Sequence, residues 1–447
     1  MELSEATTRF IQEHAQDDVR ALALRAVPAG VDLRAALTQI EGRRLASHKL
    51  PTWAATDGLL YPPRLALEQC SSEATASYKR SLVKRLLSNQ SSTFIARFSP
   101  LDSRRSKHSF FFDLTGGLGV DFSAMAPLFS RAIYVERQET LCELARHNLP
   151  LLGIGNAEVW CRDAGEVLRD LSQEPFTPAE NGNPTSGNDS PVRFLMIDPA
   201  RRDTVGHKVA LIKDCTPDVC ALQAQLRSAA DYTLIKLSPM LDLTAAIRAL
   251  HGVVEVHVVS MEGECKELLL VMGTTPDSFR EVGERRCEEV PIYCVDLSSK
   301  PVVSPTDFSP FLFTRASEAM APLILADTMG AFLYEPNASI LKAGAFRSIG
   351  QHYALRKLAT DTHLYTSDRP ILDFPGRRWH IVDSATFAKH DLRRLLSGIT
   401  SADLTVRGFP VSVASLRKQL RLREGGTTHF IATTLANQRL LLRVERL

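Results

Sequence analysis

Several features that are typical of particular protein classes are missing from this 447-residue sequence. Its eight cysteines are scattered and include no C-x-x-C pair, so we expect reduced thiols in a cytoplasmic protein, not a disulfide framework or a metal site. No segment approaches the ~18 apolar residues of a membrane span, and Met1 to Arg20 lack the apolar core of a secretory signal. Internal repeats and low-complexity tracts are absent as well. The length and composition predict a globular protein of several domains.

A dinucleotide-binding fingerprint is also missing, although one segment comes close to it. The apolar run Phe110 to Phe112 is followed by Asp113, a glycine-rich turn and a helical pattern. Counted from Gly117, the third glycine of G-x-G-x-x-G would fall on Phe122. A strand that ends in a glycine turn before a helix still brings backbone N–H groups and a positive dipole end to a ligand. The segment therefore predicts a nucleotide-type cofactor site or, on the simpler interpretation, only a tight strand-to-helix corner.

The acids around this turn indicate which cofactor it suits. Asp113 precedes the glycines and Asp121 follows them, an arrangement that resembles the first motif of the S-adenosylmethionine (SAM) methyltransferases. SAM is a cation with a free ammonium group, so nearby carboxylates suit it better than they suit a pyrophosphate. The resemblance implies a set of cofactor-binding residues at the turn, namely Asp113, Thr115, Gly116, Gly117, Gly119 and Asp121.

Three further acids stand at the ends of predicted strands. Glu136 ends strand two, 23 positions after Asp113, where a carboxylate can accept hydrogen bonds from both ribose hydroxyls. Asp163 follows strand three, where it would meet the adenine amino group or, with equal weight, cap a helix. Asp198 ends strand four, beside the expected position of the methyl group. Four elements in this order favour a SAM site over a simple corner.

The corner after strand four bears on the methylated atom. Methyltransferases that modify exocyclic base nitrogens carry Asp or Asn, two prolines and an aromatic residue at this position. Asp198 and Pro199 match that pattern, whereas Ala200 and Arg201 replace the second proline and the aromatic ring. Arg201 and Arg202 could clamp a phosphate or stack on a base, or they could simply pair with surface acids. The corner thus predicts nucleic-acid recognition and leaves the target atom open.

One lysine is predicted to face the same edge of the sheet. Lys236 lies inside the apolar strand Leu234 to Leu237, which suggests phosphate binding or a role in keeping Asp198 ionised. Methyl transfer from SAM is an in-line displacement that needs positioning and electrostatics, so no covalent intermediate is expected. The predicted catalytic set is Asp198, Pro199, Arg201, Arg202 and Lys236.

Changes of pattern divide the chain into four predicted domains. Strands and helices alternate in the second of them, as in a parallel sheet with helices on both faces. Its last two runs, 253–260 and 266–272, are too close for a parallel crossover, so we expect an antiparallel hairpin at the sheet edge. The expected α/β fold is a Rossmann-like seven-stranded sheet. The domains are an N-terminal helical domain (1–107), this α/β domain (108–275), an α+β module (276–375) and a C-terminal α+β domain (376–447).

The helical N-terminal part contains an ordered, aromatic connection. Trp53 and Tyr61 lie in it, and a Ser71-Ser72-Glu73 corner follows, in which either serine could be a helix N-cap. Packing against the next domain is the favoured interpretation of these residues. The alternative is that they line the mouth of the active site.

Taken together, five segments resemble a bacterial family of class I SAM-dependent methyltransferases with a THUMP-like C-terminal domain. The resemblance spans nearly the whole chain and implies a ferredoxin-like module at 276–375 and a THUMP-like domain at 376–447. Because THUMP domains belong to RNA-modifying enzymes, it also implies an RNA substrate. The five segments are Lys49 to Trp53, Leu67 to Glu73, Asp113 to Asp121, Asp198 to Arg202 and Leu404 to Pro410.

Charge supports the same partner. Residues 376–447 contain thirteen Lys or Arg against five Asp or Glu, a local balance of +8 in a chain of net charge +2. A basic module on a nearly neutral enzyme suits an acidic polymer such as RNA, although a basic surface without a partner is an equal alternative. The resemblance would place five residues on or near an RNA-binding face, namely Arg407, Arg417, Lys418, Arg421 and Arg423.

The favoured hypothesis is a SAM-dependent methyltransferase that acts on a base of rRNA or tRNA, with no metal and no membrane partner. A methyltransferase acting on a small molecule or a protein is the second hypothesis. A SAM-binding or RNA-binding protein without catalytic activity is the third.

Overall fold

The computed structural model describes residues 3–88, 109–173, 192–200, 211–273, 287–297 and 310–447. Its N-terminal part is helical, and four of the six helices begin at a short polar N-cap whose side chain accepts a backbone N–H: Ser4, Asp18, Asp32 and Ser72. Ser72 and not Ser71 therefore caps the sixth helix. The helices are α1 (Glu5–Glu13), α2 (Val19–Leu22), α3 (Leu33–Lys49), α4 (Pro51–Ala55), α5 (Arg64–Gln69) and α6 (Glu73–Leu87).

The aromatic residues of the N-terminal connection belong to a hydrophobic core. Trp53 and Tyr61 are only 4% and 3% exposed, and they share a cluster with Leu118 and Val120 next to the glycine turn. This is the packing role that the sequence favoured. The cluster anchors the N-terminal helices beside the start of the helix that follows the turn.

Nine strands within the described ranges form one sheet, in the order β3-β2-β1-β4-β5-β7-β6-β8-β9. Strands β1 to β5 pair in parallel, and β7 runs antiparallel to β5. The strands are β1 (Ser109–Asp113), β2 (Arg131–Glu136), β3 (Ala157–Cys161), β4 (Val192–Ile197), β5 (Tyr232–Leu237), β6 (Val253–Met261), β7 (Glu264–Gly273), β8 (Ile292–Leu297) and β9 (Phe311–Phe313). The intervening helices are α7 (Val120–Met125), α8 (Glu139–Leu151), α9 (Ala164–Gln173), α10 (Val219–Ala229) and α11 (Leu243–Ala249).

The α/β architecture agrees with the sequence-based expectation, but two strands extend the sheet. The expected edge position of the β6–β7 hairpin was wrong, because β8 and β9 follow β6 in the strand order. Ile292, Cys294 and Leu297 of β8 are at most 2% exposed, so this strand has the burial of an interior strand rather than of a free edge. The segment that provides β8 and β9 had been assigned by its pattern to the following module.

The C-terminal part forms a second sheet within the described residues, in the order β11-β12-β10-β13-β16-β15-β14. Its two faces carry separate cores, since Ile431 of β15 packs in one cluster while its neighbours Phe430 and Ala432 pack in the other. The strands are β10 (Phe332–Pro336), β11 (Arg356–Lys357), β12 (Tyr365–Ser367), β13 (Gly376–Thr386), β14 (Asp403–Val406), β15 (His429–Leu435) and β16 (Gln438–Arg446). The helices are α12 (Arg315–Met320), α13 (Ala338–Ala343), α14 (Phe346–His352), α15 (Lys389–Leu395) and α16 (Val413–Leu420).

The chain divides into two compact units. One contains α1 to α11 with β1 to β5 and β7 from Leu268 onward, and the other contains β9 to β16 with α12 to α16 and most of β6 and β8. Within the described residues, no helix has the length and apolar character needed to cross a membrane. The same residues include no group of three His, Cys, Asp or Glu side chains that could hold a metal ion.

Candidate active site

The glycine turn connects β1 to α7 at the carboxyl end of the parallel strands. The Gly116 N–H donates to the Val135 carbonyl at 2.8 Å, and the Gly119 N–H closes the turn on the Gly116 carbonyl at 2.8 Å. Gly117 and Gly119 have φ values of +56° and +84°, a region that favours glycine. The sequence therefore needs glycine at these two positions for conformational reasons.

Gly116 is needed for a different reason, which is the ring of Tyr134 beneath it. A Cβ atom at Gly116 would lie 2.2 Å from Cε2 of Tyr134, far inside van der Waals contact. Tyr134 is fully buried in β2, and its hydroxyl donates to the Gly117 carbonyl. The side chain of Tyr134 thus fixes the distance between the glycine turn and the sheet. Sequence reasoning missed this residue, and its only signal was a polar ring inside an otherwise apolar strand.

Two acids end the strands on either side of the turn. Glu136 accepts the Gly117 N–H at 3.1 Å with Oε2 and the Gln138 N–H at 2.9 Å with Oε1. Asp113 accepts the Thr115 N–H at 3.1 Å, and burial raises the pKa of its carboxyl to about 8. The structure thus brings both predicted acids to the glycine turn. A cationic ligand would favour the ionised form of Asp113.

Thr115 joins the turn to the end of β4. Its hydroxyl accepts the backbone N–H of Asp198 at 2.7 Å, so its side chain positions the predicted catalytic corner. Pro199 is buried behind Asp198. Ala200 is fixed by two backbone hydrogen bonds with Thr216, of which its own N–H donates one at 2.7 Å. A second proline at this position would lack that N–H, which gives a physical reason for alanine here.

Lys236 lies between two carboxylates. Its Nζ is 2.6 Å from Oδ2 of Asp198 and 3.3 Å from Oδ2 of Asp121. The Asp198 side chain is 39% exposed, whereas those of Lys236 and Asp121 are 14% and 10% exposed. The structure thus brings Lys236 into contact with the predicted catalytic carboxylate, and its role there stays a prediction.

Three side chains of the protein contact the Asp121 carboxylate, and its predicted contact with the cofactor stays a prediction. Ser71 Oγ donates to its Oδ2 at 2.6 Å, and Lys79 Nζ is 3.1 Å from its Oδ1. Burial alone would raise the pKa of Asp121, but the ammonium groups of Lys79 and Lys236 hold it below its usual value. Lys79 is therefore a neighbour of the site that sequence reasoning missed, whereas Ser71 belongs to the corner that the alternative interpretation placed at the mouth of the active site.

The structure bears differently on the three remaining predicted site residues. Asp163 accepts the N–H groups of Gly165 and Glu166 at 2.8 and 3.3 Å, which is the helix-capping alternative, so its contact with adenine stays a prediction. Arg201 and Arg202 lie outside the described residues. Their proposed role on a phosphate or base therefore rests on the sequence alone.

In the C-terminal unit, the side chains of three of the five arginines and lysines predicted to face RNA have internal partners. Arg423 Nη2 donates to Thr400 Oγ1 at 3.3 Å. Arg407 Nε donates to Glu335, whose other carboxylate oxygen is 3.2 Å from Arg377 Nη1. Arg417 donates to the carbonyls of Ala402 and Arg423, both at 2.9 Å. These arginines hold β10, β13 and β14 and the end of α16 in place. Lys418, Arg421 and Arg423 remain exposed.

Comparison with known proteins assigns the family. Residues 332–375 match a family of ferredoxin-like domains, and residues 376–446 match a THUMP domain-like family. The crystal structure of a candidate methyltransferase from Porphyromonas gingivalis W83 is 32% identical, covers 100% of both chains and superposes with a TM-score of 0.78. The chain belongs to this methyltransferase family. Uncharacterized SAM-dependent methyltransferases from two strains of Mycobacterium tuberculosis, CDC 1551 / Oshkosh and H37Rv, are 24% identical over 323 residues, which cover 70% of this chain and 73% of each relative.

These findings confirm the resemblance, the α/β fold and the assignment as a SAM-dependent methyltransferase. The residues present at the turn fit the cofactor, because the glycines leave room against Tyr134 and the buried carboxyl of Asp113 would gain from a neighbouring cation. The methyltransferase would hold SAM with the turn from Gly116 to Gly119, Asp113 and Glu136. When bound, SAM supplies an electrophilic methyl group.

Proposed function

We propose that this methyltransferase acts on RNA, with the carboxyl end of the parallel strands as the SAM site and Asp198 as the acceptor of the target nucleotide. The observation that carries the RNA assignment is the basic segment 376–447, which matches a THUMP domain-like family and has a local charge of +8. Lys418, Arg421 and Arg423 extend from or follow α16 and are exposed. They supply the sequence-independent phosphate contacts that RNA binding requires.

The role of Asp198 follows from its position and partners. An amine that is methylated forms an N–C bond while the S–C bond of the donor breaks, and the nitrogen must then release a proton. The Asp198 carboxylate is partly exposed and 2.6 Å from the Lys236 ammonium, so it can be reached by a substrate while its negative charge is stabilised. It can accept the N–H of the target base, orient the nitrogen lone pair and receive the proton. The Thr115 and Thr216 hydrogen bonds keep this corner rigid.

RNA binding is tested with a charge reversal on two exposed basic residues in the last turn and at the C-cap of α16. Lys418→Glu combined with Arg421→Glu should weaken binding of total cellular RNA, measured by fluorescence anisotropy. The slope of log affinity against log salt should fall by about 1.4, since each phosphate contact contributes about 0.7. The matched control is Lys389→Glu with Arg393→Glu on α15, which changes the net charge equally.

Equal effects of the two double variants would mean that only net charge matters, and unchanged binding in both would exclude this segment as the RNA-binding surface. A deletion of 376–447 is a poorer experiment. Strand β13 in that segment pairs with β10, so the deletion would remove the central strand of the second sheet together with the basic residues. Nucleoside mass spectrometry of RNA from cells that lack the protein would then identify the modified atom.

A further inference from the structure

We infer that the N-terminal helices are part of the catalytic apparatus, in which Ser71 and Lys79 act as positioning residues that hold Lys236 on Asp198 through Asp121. The inference rests on the proposed role of Asp198. It assigns a function in catalysis to α6 and to the serine corner that precedes it.

The first observation is the environment of Lys79. It lies in the middle of α6, its side chain is 0% exposed, and its Nζ is 3.1 Å from Asp121 Oδ1. It also donates to Ser71 Oγ at 3.3 Å. A buried ammonium group is costly unless it is paired with an acid, so the buried position of Lys79 requires its ion pair with Asp121. Ser71 adds a 2.6 Å hydrogen bond to the other carboxylate oxygen.

The second observation is that one carboxylate oxygen of Asp121 contacts both the N-terminal helical part and strand β5. Its Oδ2 accepts from Ser71 at 2.6 Å and lies 3.3 Å from Lys236 Nζ. Lys236 in turn lies 2.6 Å from Asp198. The four groups Lys79, Asp121, Lys236 and Asp198 therefore form a row of alternating charge that begins in the N-terminal core and ends at the partly exposed carboxylate.

The consequence comes from competition for Lys236. Asp121 and Asp198 both attract this ammonium, and Lys79 and Ser71 satisfy part of the charge on Asp121. Without Lys79, Asp121 would draw Lys236 more strongly and weaken its hold on Asp198, since electrostatic interactions are strong among groups with little exposure. The members of the row are Lys79, Asp121, Lys236 and Asp198. Among the described residues, the charged or titratable groups that interact with these members are Lys49, Cys70 and Asp113.

A purely structural role for Lys79 makes a different prediction. In that case Lys79→Met would lower stability, and its effect on methyl transfer would add to the effect of Lys236→Met. If Lys79 acts through Lys236, the two effects are not additive, because the second substitution has nothing left to disturb. A double-mutant cycle on these two lysines therefore separates the two roles.

The experiment uses the full chain with two readouts. The first is transfer of labelled methyl groups from SAM to total RNA. The second is the ¹³C chemical shift of the Asp198 carboxyl carbon at one fixed pH, which reports the contact with the Lys236 ammonium and needs no substrate. We expect Lys79→Met to slow transfer about 10- to 100-fold while SAM affinity stays within about 3-fold, and the double variant to be no slower than Lys236→Met. The chemical shift of the Asp198 carboxyl carbon should change in Lys79→Met, because Lys236 moves away from it. Lys357→Met is the control, since it removes another buried lysine, 4% exposed, from the C-terminal unit and should change neither readout.

Additive losses in the cycle, or an Asp198 carboxyl chemical shift that does not change, would overturn the inference. If Lys79→Met does not fold, Ser71→Ala decides, because it removes one 2.6 Å hydrogen bond to Asp121 and should change the Asp198 chemical shift in the same direction by a smaller amount. Failure of the proposed function is distinguishable. A wild-type protein that transfers no label to RNA would contradict the RNA assignment, and the NMR measurement would still test the positioning role.

Discussion

Replacing Gly116 by alanine is expected to remove most SAM binding, because the added methyl group would collide with a ring that cannot move. The new Cβ would lie 2.2, 2.4 and 2.6 Å from Cε2, Cδ2 and Cζ of Tyr134. Carbon atoms normally stay about 3.5–4.0 Å apart, so the turn and the ring must separate by more than about 1 Å. The ring is held by complete burial, by its hydrogen bond to Gly117 and by edge-on packing at 5.6 Å from Phe122.

The turn must therefore shift, and with it the Gly117 N–H that Glu136 accepts. Overpacking of this kind costs about 1–3 kcal/mol, which corresponds to about a 5- to 150-fold loss of affinity if the strain falls on the cofactor site. Isothermal titration calorimetry with SAM measures the loss directly. Gly155→Ala is the matched control, since nothing lies within 4 Å of its added methyl group. A Gly116→Ala protein that binds SAM as tightly as the wild type would refute this account of the turn.

Three further predictions follow from the same structure. Gly117→Ala meets nothing closer than 3.8 Å but must adopt a φ of +56°, so we expect a milder loss of SAM affinity, about 1–2 kcal/mol, than for Gly116→Ala. An equal or larger loss would contradict the ranking of the Tyr134 collision above φ strain. The pKa of Asp113 is raised to about 8, so protonation stabilises the folded state below the usual carboxyl pKa and that stabilisation is lost as the pH rises toward 8. In urea unfolding without SAM, the free energy of unfolding of the wild type should fall between pH 5 and 8 relative to that of Asp113→Asn, by up to about 1.4 kcal/mol per pH unit. The same pH dependence in both proteins would contradict the raised pKa of Asp113. Glu335→Ala removes the buried partner of two arginines and should lower the free energy of unfolding by about 1–3 kcal/mol. The loss is limited because both arginines are half-exposed and can be solvated again. Glu445→Ala, at an exposed position, should change the free energy of unfolding by less than about 0.5 kcal/mol.

The sequence predicts the strand-end acids well because of a simple rule of parallel sheets. Residues that follow consecutive parallel strands meet at one edge, so Asp113, Glu136 and Asp198 could be placed together from strand positions alone. The same rule brought Lys236 to this edge. Local pattern was enough here because each residue is fixed by the strand that carries it.

Other features depend on contacts between distant segments, which local pattern does not encode. Lys79 reads as an ordinary residue of a polar helix, and only the packing of α6 against α7 brings it to Asp121. Arg407 lies in a basic segment and was therefore predicted to contact RNA, but β10 places the buried Glu335 beside it. The pattern predicts a seven-stranded sheet that ends with the β6–β7 hairpin, and no local signal indicates that β8 and β9 extend the sheet beyond β6.

The measurement that tests the central claim most directly is transfer of a labelled methyl group from SAM to RNA by the wild type and by Asp198→Ala, with SAM affinity measured on the same samples. We predict that the wild type labels RNA in a nuclease-sensitive form, and that Asp198→Ala retains SAM affinity within about 3-fold but loses about 100-fold or more of the transfer rate. A wild-type protein that binds SAM and labels no RNA would contradict the proposed substrate. Equal losses of SAM binding and transfer in Asp198→Ala would contradict the role of that carboxylate.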